Sequence, residues 1–154
     1  VRAVGAPVTA FDKRDVVLVS GGARGVTAAS IVELARRGSP RVVLLGRTQL
    51  EDEPAACRGV SGDAELKRAL MAQAQAAGQK LTPAELGARV ARIVATREIR
   101  ATIEAIRAAG SGVRYLAVDA QAFRKNVVAF DTAAVCDQAL DGRLFLFSKH
   151  GGLR

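Results

Sequence analysis

The chain has 154 residues, of which 49% are hydrophobic and 25% are charged, values typical of one globular domain with a substantial core. Its net charge of +8 would suit a nucleic acid, but the Lys and Arg residues are scattered and aromatic residues make up only 4%, so we expect no nucleic-acid partner. No apolar run is long enough to span a bilayer, so no membrane partner is expected either.

The two cysteines, Cys57 and Cys136, lack the spacing of metal ligands, so we predict no metal site. Idle thiols and the lack of a secretory signal pattern indicate a reduced, cytoplasmic setting. The sequence does not begin with methionine, and its one methionine is Met71, which suggests a piece of a longer protein.

The first predicted elements are a strand, a glycine turn, a helix and a second strand between Asp15 and Arg47, after a lead-in (residues 1–14) that we interpret as a linker or edge segment. This order is that of the front half of a dinucleotide-binding unit. The apolar runs Val16–Val19 and Val42–Leu45 are typical of buried parallel strands. We expect the helix to begin at Gly25.

The glycine turn, with Gly21, Gly22 and Gly25, predicts an anion site. Glycine lets the backbone approach a pyrophosphate closely, and the N–H groups and dipole of the helix start favour that anion. The alternative is that the turn only packs the helix on the strand.

The residues after the second strand predict which dinucleotide binds. An NAD site usually has Asp or Glu about 20 residues past the glycines. This chain has Arg47 and Thr48 there, and Arg24 lies within the turn. Because arginine binds phosphate through a bidentate fork, we predict NADP(H) rather than NAD(H). The alternative is that both arginines are merely solvated.

A long insertion, from Gln49 to about Glu98, follows the second strand. We expect a loop first, then a helix from an N-cap at Asp63 to about Ala77. Thr82, Pro83 and Glu85 form a strong start for a second helix that runs to about Ala109, with Thr82 as the N-cap. The apolar positions along that helix indicate core packing.

The third predicted strand is Val113–Val118, and Asp119 follows it directly. At that place an Asp can accept a hydrogen bond from an adenine amino group, but a loop-initiating Asp fits the spacing equally well. Further on, Val127–Phe130 and Leu144–Phe147 are typical of short strands, and His150 is interpreted as solvated.

The run VSGGARGVTA followed by VVLLGRT resembles the ketoreductase domains of modular polyketide synthases and polyunsaturated fatty acid synthases, in the short-chain dehydrogenase/reductase superfamily. The resemblance covers about Asp15 to Gln121. It implies an NADPH-dependent reductase that acts on a 3-ketoacyl thioester carried by an acyl carrier protein, within a multidomain synthase. It also implies a set of cofactor-binding residues: Gly21, Gly22, Arg24, Gly25 and Val26 at the pyrophosphate, Arg47 and Thr48 at the 2′-phosphate, and Asp119 and Ala120 at the adenine.

The sequence departs from this family in three ways. Thr27 replaces the third glycine of the turn. LFLFSKHGG resembles the family's serine-bearing strand, with Ser148 as the first serine and Lys149 in place of the second. The one tyrosine, Tyr115, lies in the third predicted strand, so no Tyr-x-x-x-Lys or Tyr-x-x-x-Asn pair exists. A ketone reduced to an alkoxide needs a proton donor, so we expect the isolated chain to be inactive.

We therefore predict an α/β fold, a Rossmann-like three-layer sandwich with a truncated parallel sheet of four or five strands and a helical insertion after the second strand. Residues 1–14 are the linker, residues 15–154 the NADP-binding domain, and residues 122–154 its degenerate or truncated tail. The alternative function is a noncatalytic NADP-binding or structural subdomain of a synthase.

Overall fold

The computed structural model of the chain describes residues 11–118 and the backbone of residues 144–148. The predicted strand Val127–Phe130 and Cys136 lie outside these residues. The described elements, in chain order, are β1 (Val16–Ser20), α1 (Gly25–Gly38), β2 (Arg41–Gly46), one turn of 3₁₀-helix (Ala55–Cys57), α2 (Asp63–Ala76), α3 (Pro83–Ala108), β3 (Val113–Ala117) and β4 (Leu144–Ser148).

The four described strands form one parallel sheet in the order β3-β2-β1-β4. Val16 of β1 is level with Arg41 of β2, and Val42 is level with Val113 of β3. Parallel strands joined through helices define the α/β class, so the predicted α/β, Rossmann-like fold is confirmed for the described strands.

The chain divides into two compact units. The sheet unit consists of residues 1–47 and 99–154, and the inserted unit consists of residues 48–98.

The central strands of the sheet unit are buried on both faces, which explains their continuous apolar runs. Because side chains alternate along a strand, Val16 and Leu18 share one face with Val43 and Leu45, where all four form a buried cluster. The residues between them in β1 and β2 point to the other face and are equally buried.

The inserted unit has its own apolar cluster, built from α2, the 3₁₀ turn and residues 83–98 of α3. Its buried members are Cys57, Leu66, Leu70, Leu86, Val90 and Ile93. The start of α3 is the predicted capping box, because the Thr82 hydroxyl accepts from the Glu85 N–H at 3.3 Å and the Glu85 carboxylate accepts from the Thr82 N–H at 2.8 Å.

The predicted N-cap of α2 is wrong by one residue. Gly62, at φ +93°, is the N-cap, and Asp63 is the first helical residue. Asp63 instead forms an ion pair with Lys67 at 2.5 Å, one turn further along the helix. An acidic residue is favoured in the first turn as well as at the cap, so residue type alone did not separate the two positions.

Arg97 links the loop of the inserted unit to α3. Its guanidinium contacts the Glu53 carboxylate and donates to the carbonyl oxygens of Cys57 at 2.8 Å and Val60 at 2.7 Å. The hydrogen bond to Glu53 raises the pKa of Arg97, and burial raises the pKa of the Cys57 thiol.

None of the helices within residues 11–118 is long and apolar enough to cross a membrane.

Candidate functional site

The glycine turn connects the carboxyl end of β1 to the start of α1. Gly21 has φ +72° and Gly25 has φ +65°, a region that residues with a Cβ rarely adopt. A Cβ added at either position would meet nothing within 4 Å, so both glycines border open space. The turn therefore has the backbone freedom and the room that close approach of a ligand requires.

Gly22 serves a different purpose from its neighbours. It is buried, and a Cβ on it would overlap the Val19 side chain and lie 3.5 Å from Leu44 Cδ2. Gly22 thus lets the turn pack tightly on the sheet. The packing alternative raised for the turn fits this glycine, whereas Gly21 and Gly25 remain exposed.

Two hydrogen bonds hold the turn against the rest of the sheet unit. The Gly21 N–H donates to the Leu45 carbonyl oxygen at 2.9 Å, which ties the turn to the end of β2. The Thr102 hydroxyl, from α3, donates to the Ala23 carbonyl oxygen at 3.0 Å. Because the Gly21 N–H already has an acceptor, the predicted contribution of Gly21 to an anion site is its conformation rather than its N–H group.

The N-cap residue of α1 provides no side-chain cap for the helix start. Arg24 is the N-cap residue and makes no capping hydrogen bond from its side chain, and the first turn contains no acidic residue. The first N–H groups of a helix have no partner within the helix, and they carry its positive dipole end. At α3, by contrast, Thr82 and Glu85 close the helix start. The exposed start of α1 therefore suits an external anion.

Arg47 directly follows β2, at the same edge of the sheet as the glycine turn. Its side chain is exposed, and it forms no hydrogen bond or ion pair within residues 11–118. Thr48 is half-buried and belongs to the inserted unit. The structure thus places Arg47 with the turn residues Arg24 and Val26, both exposed, at the carboxyl edge of the sheet.

The end of β3 is joined to the same edge, since the Val118 N–H donates to the Gly46 carbonyl oxygen at 2.7 Å. Asp119 and Ala120, predicted to face the adenine, follow Val118 in the sequence and lie outside the described residues. Tyr115 also reaches this edge: a Cβ on Gly46 would lie 2.5 Å from the Tyr115 hydroxyl oxygen.

Ser148, the predicted catalytic serine, ends β4 and is level with Ser20 of β1. Its backbone therefore lies beside the start of the glycine turn. In the usual strand order of dinucleotide-binding folds the neighbour of the first strand is the fourth, whereas the resemblance compares Leu144–Ser148 with a later strand. The Ser148 side chain, Lys149 and His150 lie outside the described part of the chain, so a catalytic role of Ser148 stays a prediction.

Sequence reasoning missed two residues that hold or border the site, Thr102 and Tyr115. In the sequence Thr102 is a polar residue among the apolar positions of α3, a signal that marks the residue but does not indicate its partner, and in the structure it is buried. The sequence identifies Tyr115 only as the one tyrosine, within the third predicted strand. Tyr115 is level with Leu44 of β2, and its hydroxyl reaches Gly46 two residues further along that strand, a contact that depends on strand register.

The charge of the chain is concentrated in the sheet unit. The inserted unit carries seven basic and seven acidic residues, and the sheet unit carries sixteen basic and eight acidic ones. The entire net charge of +8 therefore belongs to the unit that contains the glycine turn. Such an excess favours binding of an anionic ligand there.

Comparison with known proteins relates the chain to a large synthase. No family model matches the sequence. The chain is 38% identical over 122 residues to a polyunsaturated fatty acid synthase subunit of Thraustochytrium sp. (strain ATCC 26185 / S-3). The match covers 75% of this chain but only 4% of that relative, so the chain spans a small part of the relative's length. The chain is thus similar to a short segment of a polyunsaturated fatty acid synthase.

Proposed function

We propose that the sheet unit binds NADP(H) at the carboxyl edge of its sheet. The observation that carries this proposal is the exposed start of α1, which has no side-chain cap from its N-cap residue and lies at the same edge of the sheet as Arg47, an exposed arginine with no partner within residues 11–118. In a dinucleotide with a 2′-phosphate, the pyrophosphate would bind at the helix start and the 2′-phosphate would bind Arg47.

The residues of the turn fit the pyrophosphate. Gly21 and Gly25 leave open space above the backbone, and the N–H groups at the start of α1 supply donors and a positive dipole end. The Arg47 guanidinium would bind the 2′-phosphate through two parallel hydrogen bonds. The bound cofactor would supply a hydride, and the role of the sheet unit would be to bind the cofactor.

We further propose that the chain is the cofactor-binding part of a 3-ketoacyl-thioester reductase within a polyunsaturated fatty acid or polyketide synthase. The similarity to a polyunsaturated fatty acid synthase supports this assignment. Its substrate would be a 3-ketoacyl group carried by an acyl carrier protein, and its partners would be other domains of the synthase.

The 154-residue chain should bind cofactor without reducing a ketone. Reduction of a ketone needs a donor that protonates the developing alkoxide. Tyr115, the one tyrosine, is half-buried in β3 with its hydroxyl against Gly46, and the residue four positions on is Asp119 rather than a lysine. The sequence therefore lacks the Tyr-x-x-x-Lys pair of the resembled family.

Titration of the chain with NADPH and NADH, followed by nicotinamide fluorescence, tests the cofactor proposal. We expect NADPH to bind more tightly, and Arg47→Ala to weaken NADPH on the order of 10- to 100-fold while leaving NADH unchanged, since only NADPH carries the 2′-phosphate. Arg36→Ala is the matched control, because Arg36 is an exposed arginine in the last turn of α1. Equal affinities for the two cofactors, or equal effects of the two variants, would refute the proposal.

A further inference from the structure

A buried hydroxyl on α3 fixes one peptide of the glycine turn. The Thr102 side chain donates from Oγ1 to the Ala23 carbonyl oxygen at 3.0 Å, across 79 positions of sequence. Thr102 is 9% exposed and Ala23 is 4% exposed, so water does not compete strongly for this bond. A shielded carbonyl that lost its donor would be left unsatisfied, which makes this contact costly to remove.

The geometry of the peptide bond extends the effect of this contact to Arg24. In a planar trans peptide, the C=O and the N–H of the next residue point in opposite directions. The Ala23 carbonyl points toward the buried Thr102, so the N–H of Arg24 points away from α3. That direction leads to the exposed side of the turn, where Arg24 and Gly25 begin α1.

We propose that Thr102 is a positioning residue for the dinucleotide site. It orients the Ala23–Arg24 peptide so that its N–H faces the place of the pyrophosphate. This inference depends on the proposed NADP(H) site, and Thr102 acts through the turn without touching the ligand. The Gly21–Leu45 hydrogen bond fixes the front of the turn, and Thr102 fixes its rear.

Thr102 and Arg47 would act on different parts of the cofactor. Thr102 affects the turn, which would contact the pyrophosphate, whereas Arg47 would contact the 2′-phosphate. Adenosine 2′-monophosphate carries the second group without the first. Loss of the Thr102 hydroxyl should therefore weaken NADPH and spare this smaller ligand. A general loss of folding would weaken both ligands together.

The test uses the 154-residue chain with Thr102→Val, which keeps the side-chain shape, and Thr102→Ser, which keeps the hydroxyl. Thr96→Val is the matched control, because Thr96 is a buried threonine in the same helix but within the inserted unit. We expect Thr102→Val to weaken NADPH about tenfold. Thr102→Ser and Thr96→Val should stay within about twofold of the wild-type chain, and adenosine 2′-monophosphate should bind all four proteins alike.

The outcomes distinguish this inference from the proposed function. A wild-type chain that does not bind NADPH refutes the NADP(H) site itself. If the wild-type chain binds and Thr102→Val binds equally well, only the positioning role is refuted. If Thr102→Val binds both ligands more weakly, or if Thr102→Ser binds NADPH more weakly, the role of Thr102 is merely structural and the inference is refuted. Should Thr102→Val not fold, Thr102→Cys replaces it with the same expectation, since a thiol donates only weakly.

Discussion

Arg97 offers the sharpest test of how the inserted unit is stabilised. Its guanidinium binds the Glu53 carboxylate and two backbone carbonyls, those of Cys57 and Val60, all within residues 48–98. The change Arg97→Met keeps a long apolar stem and removes every donor. The carboxylate and both carbonyls then lose their common partner.

The size of the effect on stability follows from the contacts that Arg97→Met removes. A hydrogen bond from a charged donor contributes about 1.5–3 kcal/mol when it is shielded, and an exposed ion pair contributes about 0.2–1 kcal/mol. The Arg97 side chain is 34% exposed and that of Glu53 is 19% exposed, so water replaces part of the lost interaction. We therefore expect the free energy of unfolding of the inserted unit to fall by about 2–3 kcal/mol.

Labelling of the Cys57 thiol measures opening of the same unit, because Cys57 is fully buried in its cluster. In a Cys136→Ser background, the labelling rate should rise on the order of 30- to 150-fold in Arg97→Met. Arg92→Met is the control, because Arg92 pairs with Glu51 at 3.3 Å and both side chains are more than half exposed. This variant should change the rate less than about threefold.

Two results would refute this reasoning. If Arg97→Met and Arg92→Met raised the labelling rate equally, the shielded carbonyl contacts would carry no special weight. If neither variant raised the rate more than about threefold, the guanidinium would contribute no more than an exposed ion pair.

Further predictions concern the turn, the capping box and the buried thiol. Gly22→Ala should lower the free energy of unfolding by about 1–3 kcal/mol, because its Cβ would overlap the Val19 side chain, and an unchanged melting temperature would contradict this. Thr82→Ala should lower the stability of α3 by about 1 kcal/mol in urea unfolding. Hydrogen bonds from Thr82 lower the pKa of Glu85 from its ordinary 4.5, so this carboxylate stabilises the fold above that pH and loses its effect as pH falls through the lowered value. The stability difference between Glu85→Ala and the wild-type chain should therefore vanish in acid, and a constant difference from pH 7 to pH 2 would refute the assignment. Burial raises the pKa of Cys57, so in the native Cys136→Ser chain its alkylation at pH 8 should be far slower than that of a free cysteine; a rate equal to that of the unfolded chain would show that the thiol is accessible.

Local patterns predicted most of the elements. Val16–Val19 was predicted as a buried parallel strand because an apolar run of that length needs cover on both faces. The Thr82–Glu85 pair was predicted as a capping box because its spacing matches one helical turn, and its hydrogen bonds are present. In both cases the physical cause lies within a few residues of sequence.

Other features depend on contacts that sequence spacing does not show. Gly21 and Gly22 are the same residue type, yet Gly21 adopts a positive φ beside open space and Gly22 packs on Val19. The hydrogen bond from Thr102 to Ala23 joins residues 79 positions apart, so no local sequence pattern predicts it. Tyr115 reaches Gly46 only because β2 and β3 pair in one particular register.

The separation of charge between the two units has a consequence for how ligands find the chain. Attraction at a distance acts before contact and fades as salt shortens the Debye length, from about 30 Å at 0.01 M to about 8 Å at 0.15 M. Anions should therefore associate with the sheet unit faster at low ionic strength than at physiological salt, and the inserted unit, with equal numbers of basic and acidic residues, adds no net charge to this attraction.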